Sequence, residues 1–333
     1  MSQPDKALPF QQLSPDEILN SVESLGYACD GHVTALNSYE NRVYQIGIWD
    51  SKPIIAKFYR PQRWTDESIR EEHAYTAELF ELEIPAITPL RDAHGQTLFQ
   101  TGPYRIALYP RVGGRAPELD DPDHLLQLGR CLARIHNVGA VKAFVHRPVI
   151  DIQSLAREPV EFLLANHFIP ADLLPSYTAL TQHLFTAIEA CFARVKDCAF
   201  IRLHGDCHIG NILWYDDAPF LVDFDDARMG PAVQDLWMFL SGERDYMQAR
   251  LHDLLEGYCE FRDFDARELH LIEPLRTMRM LHYAGWLARR WNDPAFLQAF
   301  PWFNTQTYWQ THILHLKEQL ALLSEPPLEW QRR

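Results

Sequence analysis

Strand-like segments dominate the first third of this 333-residue chain, and helical segments dominate most of the remainder. Runs rich in apolar and β-branched residues at 42–48, 53–59 and 97–110 predict paired strands. Beyond residue 110, apolar residues recur at helical spacing, interrupted by a strand-like segment at 200–224. Strands first and helices later indicate an α+β protein.

We predict two lobes, a small β-rich N-terminal lobe and a larger helical C-terminal lobe. The boundary is placed between 1–110 and 111–333, where the character of the sequence changes. Ser14 followed by Pro15, and Thr65 followed by two acidic residues, are typical helix starts. The predicted helices are 14–26, 65–82, 123–137 and further segments running to about residue 323.

The composition describes a folded protein with an acidic surface. Hydrophobic residues make up 47% of the chain, and the formal net charge is −14, which argues against nucleic-acid or anionic-membrane surfaces. No apolar run approaches the roughly 20 residues that span a bilayer. The start Met1–Lys6 lacks a signal pattern, and six scattered cysteines favour a reducing compartment. We expect a cytoplasmic monomer with no nucleic-acid or membrane partner.

The segment from His204 to Asn211 carries the strongest chemical signal. Asp206, Asn211 and Asp223 have the spacing with which kinases transfer the terminal phosphoryl group of ATP. In that chemistry the first Asp takes the proton of the attacking hydroxyl, and the Asn and second Asp bind Mg²⁺. A hairpin predicted between Asn211 and Asp223 would bring those two residues together. We expect all three side chains to converge around divalent cations in the crevice joining the lobes.

A lysine and a glutamate complete the predicted nucleotide site. Lys57 lies in a strand with apolar neighbours, where kinases place the lysine that contacts the α- and β-phosphates. Glu72 shares a helix face with apolar residues, and a carboxylate on an inward face needs a cationic partner. We predict that Glu72 orients Lys57. Glu71, rotated by about 100° on the helix, remains the alternative.

The loop that should cradle the phosphates contains no glycine. It spans 36–42, where Ser38 and Asn41 offer a hydroxyl, a carboxamide and turn-forming backbone amides. A plain β-turn is the alternative interpretation. We predict an ATP contact at Ser38.

Asp235 opens an apolar segment that we interpret as an amphipathic helix, with Asp235 bracing the catalytic loop from behind. Only eleven residues separate it from Asp223, which leaves no room for a long activation segment. The acceptor must therefore be held elsewhere. Arginines and aromatic residues of the C-terminal region could line an acceptor groove or make ordinary ion pairs and core contacts. They are Arg276, Arg279, Tyr283, Trp286, Arg289, Arg290 and Trp291.

These motifs resemble a known enzyme family. The pattern His204-Gly205-Asp206-x-His208-x-Gly210-Asn211 with Asp223-Phe224-Asp225 is similar to the signature of aminoglycoside phosphotransferase and choline kinase-like enzymes. Further blocks, from Ala56 to Pro61 and from Gly230 to Trp237, resemble the bacterial stress-response protein kinases of that superfamily. The resemblance spans nearly the whole chain.

The resemblance implies a bilobal protein kinase-like fold and a Mg²⁺-ATP-dependent serine/threonine protein kinase active in a bacterial stress response. It implies proton acceptance at Asp206, metal binding at Asn211 and Asp223, and an ATP contact at Ser38. The substrate would be a protein, and the kinase itself is one candidate. The family shares the glycine-free loop.

Two other functions remain open at this point. A small-molecule kinase acting on an amino alcohol or sugar hydroxyl would use the same residues, so the motif does not separate it from a protein kinase. A catalytically dead nucleotide-binding scaffold is the third hypothesis.

Overall fold

The computed structural model describes residues 10–331, and the chain divides into two compact units. The first comprises the described residues up to Ala116 together with Ile212–Asp225. The second comprises Pro117–Asn211 and the described residues from Asp226 onward. The segment Met1–Lys6, which we considered for a signal sequence, lies outside the described residues.

The first unit is built on an antiparallel sheet. Its strands are β1 (Cys29–Ala35), β2 (Arg42–Ile48), β3 (Ile54–Phe58), β4 (Phe99–Thr101) and β5 (Tyr104–Pro110), and its helices are α1 (Pro15–Glu23) and α2 (Asp66–Glu81). The five strands lie in the order β1-β2-β3-β5-β4. The predicted pairs β2–β3 and β4–β5 are confirmed. The edge strand β1 was not predicted.

Local side-chain chemistry sets where the two helices begin. The Ser14 side chain accepts a hydrogen bond from the Glu17 N–H, and the Thr65 side chain accepts one from the Ser68 N–H, so both predicted N-caps are confirmed. Helix α1 then buries Ile18 in an apolar cluster with sheet residues. Burial of that face stabilises a helix too short to persist alone.

A hairpin from the middle of the chain belongs to the first unit. It consists of β7 (Ile212–Tyr215) and β8 (Ala218–Leu221). Arg115 and Trp214 exchange two backbone hydrogen bonds, at 3.1 and 2.6 Å. These bonds tie the hairpin to the end of the first segment, and the chain that follows it carries Asp223 and Asp225 into the same unit.

The second unit is mainly helical. Its helices are α3 (Pro122–Gly139), α4 (Glu158–Ala165), α5 (Leu174–Arg194), α6 (Arg244–Tyr258), α7 (Ile272–Arg289), α8 (Pro294–Ala299) and α9 (Gln306–Leu322), and its strands are β6 (Ile201–Leu203) and β9 (Arg228–Gly230). Helices α3 and α6 pack closely at Gly129, where a Cβ would lie only 2.0 Å from the Leu254 carbonyl oxygen. The short pair β6–β9 supports the loop that begins at His204.

One predicted element is wrong. The apolar segment beginning at Asp235 is not an α-helix but follows two 3₁₀ turns, at Ala232–Asp235 and Trp237–Phe239. Every residue from Asp235 to Leu240 is buried except Met238, which is half-buried. A short, uniformly apolar run carries no periodicity that distinguishes a helix from irregular buried chain.

The predicted α+β class, with a strand-rich N-terminal part and a helical C-terminal part, is confirmed. Within residues 10–331, none of the helices combines the length and apolar character needed to cross a lipid bilayer.

Candidate functional site

The catalytic-loop candidate is pinned by a buried carboxylate. Asp235 accepts hydrogen bonds from the backbone N–H groups of His204 and Gly205, both at 2.8 Å. Its Oδ2 also lies 3.2 Å from Nε2 of His136. Burial would raise the pKa of Asp235, but the hydrogen bonds from His136 and the backbone outweigh it and hold the pKa below its usual value. The predicted bracing role of Asp235 is confirmed by these bonds.

Glycine is required where the loop turns. Gly205 has φ of +85°, and a Cβ there would lie 2.2 Å from the carbonyl oxygen of Asp226. Both the backbone conformation and the close approach exclude a larger residue. The loop path before Asp206 therefore requires glycine at this position.

Asp206 and Asn211 lie together in the second unit. The Asn211 Nδ2 donates to the backbone carbonyl of Asp206 at 2.9 Å, so its Oδ1 points the other way. Among residues 10–331, that Oδ1 accepts no hydrogen bond. His208 bonds within the loop, since its Nδ1 accepts from the Gly210 N–H at 3.0 Å, and its Nε2 lies 3.5 Å from the Asp206 Oδ2.

An arginine of α7 contacts the predicted catalytic carboxylate. Arg279 Nη1 lies 2.5 Å from Asp206 Oδ1, although the two residues are 73 positions apart. The sequence left open whether Arg279 lines an acceptor groove or makes an ordinary ion pair. The neighbouring Arg276 makes ordinary structural contacts, pairing with Glu273 and donating to the carbonyl of Leu240.

In the first unit, Lys57 is buried on β3 and holds two carboxylates. Its Nζ lies 2.8 Å from Asp223 Oδ1 and 3.2 Å from Asp225 Oδ1. Burial alone would lower the pKa of Lys57, but the attraction of Asp223 and Asp225 raises it well above its usual value. Lys57 therefore carries its positive charge at any physiological pH.

Glu72 occupies the inward face of α2. It is buried together with Ile69 and Thr76, whereas Glu71 is half-buried. Its charge also acts on Lys57, more weakly than those of Asp223 and Asp225. The direct ion pairs of Lys57 thus involve the two aspartates, and the orienting role of Glu72 stays a prediction.

The glycine-free loop is ordered through Asn41, not through Ser38. The Ser38 hydroxyl donates within the loop to the Asn41 carbonyl at 3.3 Å. The buried Asn41 side chain accepts from the Arg60 N–H at 3.0 Å and donates to Asp225 Oδ2 at 3.1 Å. Arg63 also pairs with Asp225. Sequence reasoning left Asp225 unassigned, and its only signal was its place beside Asp223.

Asp223 in the first unit and Asn211 in the second each keep an oxygen that suits a divalent cation. Asp223 is half-exposed, and among residues 10–331 its Oδ2 accepts no hydrogen bond while its Oδ1 pairs with Lys57. Among the same described residues, the carboxamide oxygen of Asn211 also accepts no hydrogen bond. Carboxylate and carboxamide oxygens are the ligands that Mg²⁺ prefers. Each residue therefore retains an oxygen that could coordinate this ion.

The chain belongs to the phosphotransferase enzyme family, whose model matches residues 32–272. It is 43% identical over 325 residues to stress response kinase A of Escherichia coli K12, covering 98% of both chains. It is equally similar, at 43% identity and 98% coverage of each chain, to serine/threonine protein kinase RdoA of Salmonella typhimurium. The resemblance to bacterial stress-response kinases is confirmed.

Solved structures share the fold. An amicoumacin kinase in complex with AMP-PNP, Ca²⁺ and Ami has a TM-score of 0.71 at 16% identity, covering 96% of each chain. A microcompartment-associated aminopropanol kinase has a TM-score of 0.67 at 16% identity, covering 91% of this chain and 95% of its own. The predicted phosphotransferase-like fold is confirmed, as is the broader prediction that the chain is a phosphotransferase.

Proposed function

We propose that this protein transfers the γ-phosphoryl group of ATP to Ser or Thr hydroxyls of proteins, in a bacterial stress response. The observation that carries the proposal is the pinned loop: Asp235 fixes the backbone before Asp206, and Asn211 bonds to the Asp206 carbonyl. Phosphoryl transfer depends mainly on positioning and charge stabilisation, which a rigid loop supports.

In the proposed reaction, Asp206 takes the proton of the acceptor hydroxyl. The hydroxyl oxygen forms a bond to the γ-phosphorus, and the bond from that phosphorus to the bridging oxygen breaks. The electron pair stays on the bridging oxygen, so ADP leaves. The products are the phosphorylated side chain, ADP and the proton held by Asp206.

The remaining predicted residues would act on the nucleotide. Lys57, kept charged by its acidic neighbours, would neutralise the α- and β-phosphates, with Glu72 supporting its orientation. Asn211 and Asp223 would hold Mg²⁺, which supplies charge neutralisation of the phosphate oxygens when bound. Ser38 would contact ATP from the glycine-free loop.

The acceptor class separates this proposal from its alternative. A relative with 43% identity is named a serine/threonine protein kinase, which supports a protein acceptor. The small-molecule kinases with the same fold share only 16% identity, so they support the fold and not the substrate. A small-molecule kinase acting on an amino alcohol or sugar hydroxyl remains the second candidate.

Mass spectrometry after incubation with Mg²⁺-ATP tests the proposal. The full chain is incubated with proteins extracted from bacteria, and separately with amino alcohols and sugars. We expect phosphorylated Ser or Thr on proteins, and the kinase itself is one candidate acceptor. The Asp206→Ala variant should lose transfer by about 10³-fold, while Asp217→Asn, in the exposed turn between β7 and β8, should retain it.

Three results would contradict the proposal. Rapid turnover with a metabolite and none with any protein would favour the small-molecule kinase. Transfer by Asp206→Ala at the rate of the unmodified protein would remove Asp206 from the reaction. Binding of ATP without transfer to any acceptor would favour the dead scaffold.

A further inference from the structure

The contact of Arg279 with Asp206 bears on how an acceptor enters. Asp206 Oδ1 is occupied by Arg279 at 2.5 Å, and its Oδ2 lies 3.5 Å from His208. A hydroxyl that donates its proton to Asp206 needs one of these oxygens. If it takes Oδ1, Arg279 must give up a charge-assisted hydrogen bond. That loss is offset when the acceptor supplies another anion to Arg279.

The surroundings of Arg279 carry further positive charge. The charged groups that act on His282, three residues along α7, are Arg228, Arg279, Arg289 and the carboxylate of Asp226. Asp226 is already paired with Arg228 at 2.7 Å. Burial, and then the nearby arginines, lower the pKa of His282 to about 4, so it is neutral at physiological pH. The neighbourhood of His282 is therefore rich in guanidinium groups.

Arg289 is the least compensated of the three arginines. It is exposed, and its guanidinium lies 5.3 Å from the ring centroid of Phe162. Within the described part of the chain it forms no ion pair. In a protein with a formal net charge of −14, an exposed arginine without a carboxylate partner is available to an external anion.

The dimensions favour an extended ligand. Arg279 and Arg289 are ten residues apart on α7, which corresponds to about 15 Å along the helix axis. An extended peptide covers that length with about four or five residues.

We propose that Arg279 and Arg289 form an acceptor-binding site for acidic peptide segments, in which Asp, Glu or phosphorylated residues lie near the target Ser or Thr. This inference rests on the proposed protein kinase function. In it, Arg279 exchanges Asp206 for an acidic group of the acceptor, which frees Asp206 Oδ1 for the hydroxyl. Arg279 and Arg289 are then specificity-determining residues.

A positional peptide library tests the site. The full chain is incubated with Mg²⁺-ATP and Ser/Thr peptides in which each flanking position is varied. We expect enrichment of Asp and Glu near the phosphorylated residue. Turnover of the selected acidic peptide should also weaken as salt is raised, because exposed ion pairs are screened.

Variants make the test specific. Arg289→Glu should lower kcat/KM for the acidic peptide about tenfold relative to a neutral peptide, through KM. Lys317→Glu makes the same charge change at an exposed position of α9 and should leave the preference unchanged. Arg279→Ala should lose the preference, and Arg279→Lys should recover part of it.

The outcomes separate this inference from the function on which it rests. Peptide phosphorylation without acidic enrichment, or with an undiminished preference in the folded Arg289→Glu variant, would overturn the basic acceptor site and leave the protein kinase intact. Transfer to no peptide or protein at all would refute the proposed function, and the acceptor site with it.

Discussion

The buried carboxylate of Asp235 offers the sharpest test of how the catalytic loop is held. Asp235→Asn keeps the shape of the side chain but removes its charge and one acceptor. The carboxylate accepts from two backbone N–H groups and lies beside His136, all in the interior. An asparagine can accept with one oxygen only, and its NH₂ group would face a donor.

The expected loss follows from those contacts. One buried N–H left without an acceptor costs about 1–3 kcal/mol. The remaining bonds lose their charge assistance, which roughly halves their strength. Together these effects should lower the free energy of unfolding by about 3–5 kcal/mol, the range for breaking a buried ionic contact.

Two measurements check this expectation. Urea unfolding should show the loss in Asp235→Asn, whereas Asp217→Asn, in the exposed turn after β7, should change stability by at most about 0.5 kcal/mol. Hydrogen exchange should report the loop directly. The His204 and Gly205 amides, which donate to Asp235, should exchange about a hundredfold faster in the variant.

The pH dependence of folding stability gives an independent test of the Asp235 contacts. The pKa of Asp235 is depressed in the folded state, so its stabilising effect is present above the ordinary pKa of an aspartate, about 4. It is lost as the pH falls through the folded-state pKa. The gap in stability between the unmodified protein and Asp235→Asn should therefore narrow in acid. A loss below about 1 kcal/mol at neutral pH, with unchanged amide exchange, would refute the bracing argument.

Three further changes test other parts of the structure. Lys57→Met should lower kcat/KM for phosphoryl transfer about 10²–10³-fold. Circular dichroism should show a retained fold, because Asp225 keeps its contacts with Asn41 and Arg63. A loss of less than tenfold would contradict the proposed role of Lys57 at the phosphates. Asn41→Ala should lower the free energy of unfolding in urea by about 1–3 kcal/mol, because it leaves the Arg60 N–H without its acceptor. Asn37→Ala, at an exposed position of the same loop, should lower it by at most about 0.5 kcal/mol, and equal losses in the two variants would contradict the role of Asn41 in ordering the loop. Burial raises the pKa of Glu268 to about 7, so its neutral form stabilises the fold and stability falls as pH rises from about 4.5 through 7. The free energy of unfolding of Glu268→Gln, relative to that of the unmodified protein, should therefore rise by about 2 kcal/mol between about pH 5 and pH 8. A difference that stays constant over this pH range would contradict the argument.

Features set by local chemistry were predictable from the sequence. The caps of α1 and α2 rest on Ser14 and Thr65, whose side chains bond only three residues away. The inward position of Glu72 follows from helix geometry, since it shares a face with Ile69 and Thr76. In each case the information lies within one or two turns of chain.

Features set by contacts between distant parts of the chain were not predictable from the sequence. The edge strand β1 is mostly solvent-exposed, so its sequence lacks an apolar alternation. The return of Ile212–Asp225 to the first unit depends on backbone bonds such as those between Arg115 and Trp214. Backbone groups are the same at every residue, and the sequence therefore carries no direct signal for such pairing.

The acidic run at 223–226 shows why partner choice is the hardest feature to predict. Asp223 has φ of +59°, and a 3₁₀ turn at Phe224–Asp226 follows. Asp223 stays half-exposed against Lys57, Asp225 is buried, and Asp226 pairs with Arg228 instead. Residue type identifies these side chains only as acids. The local backbone path, with a φ at Asp223 that aspartate tolerates better than most residues, determines that Asp223 and Asp225 meet Lys57 while Asp226 pairs with Arg228.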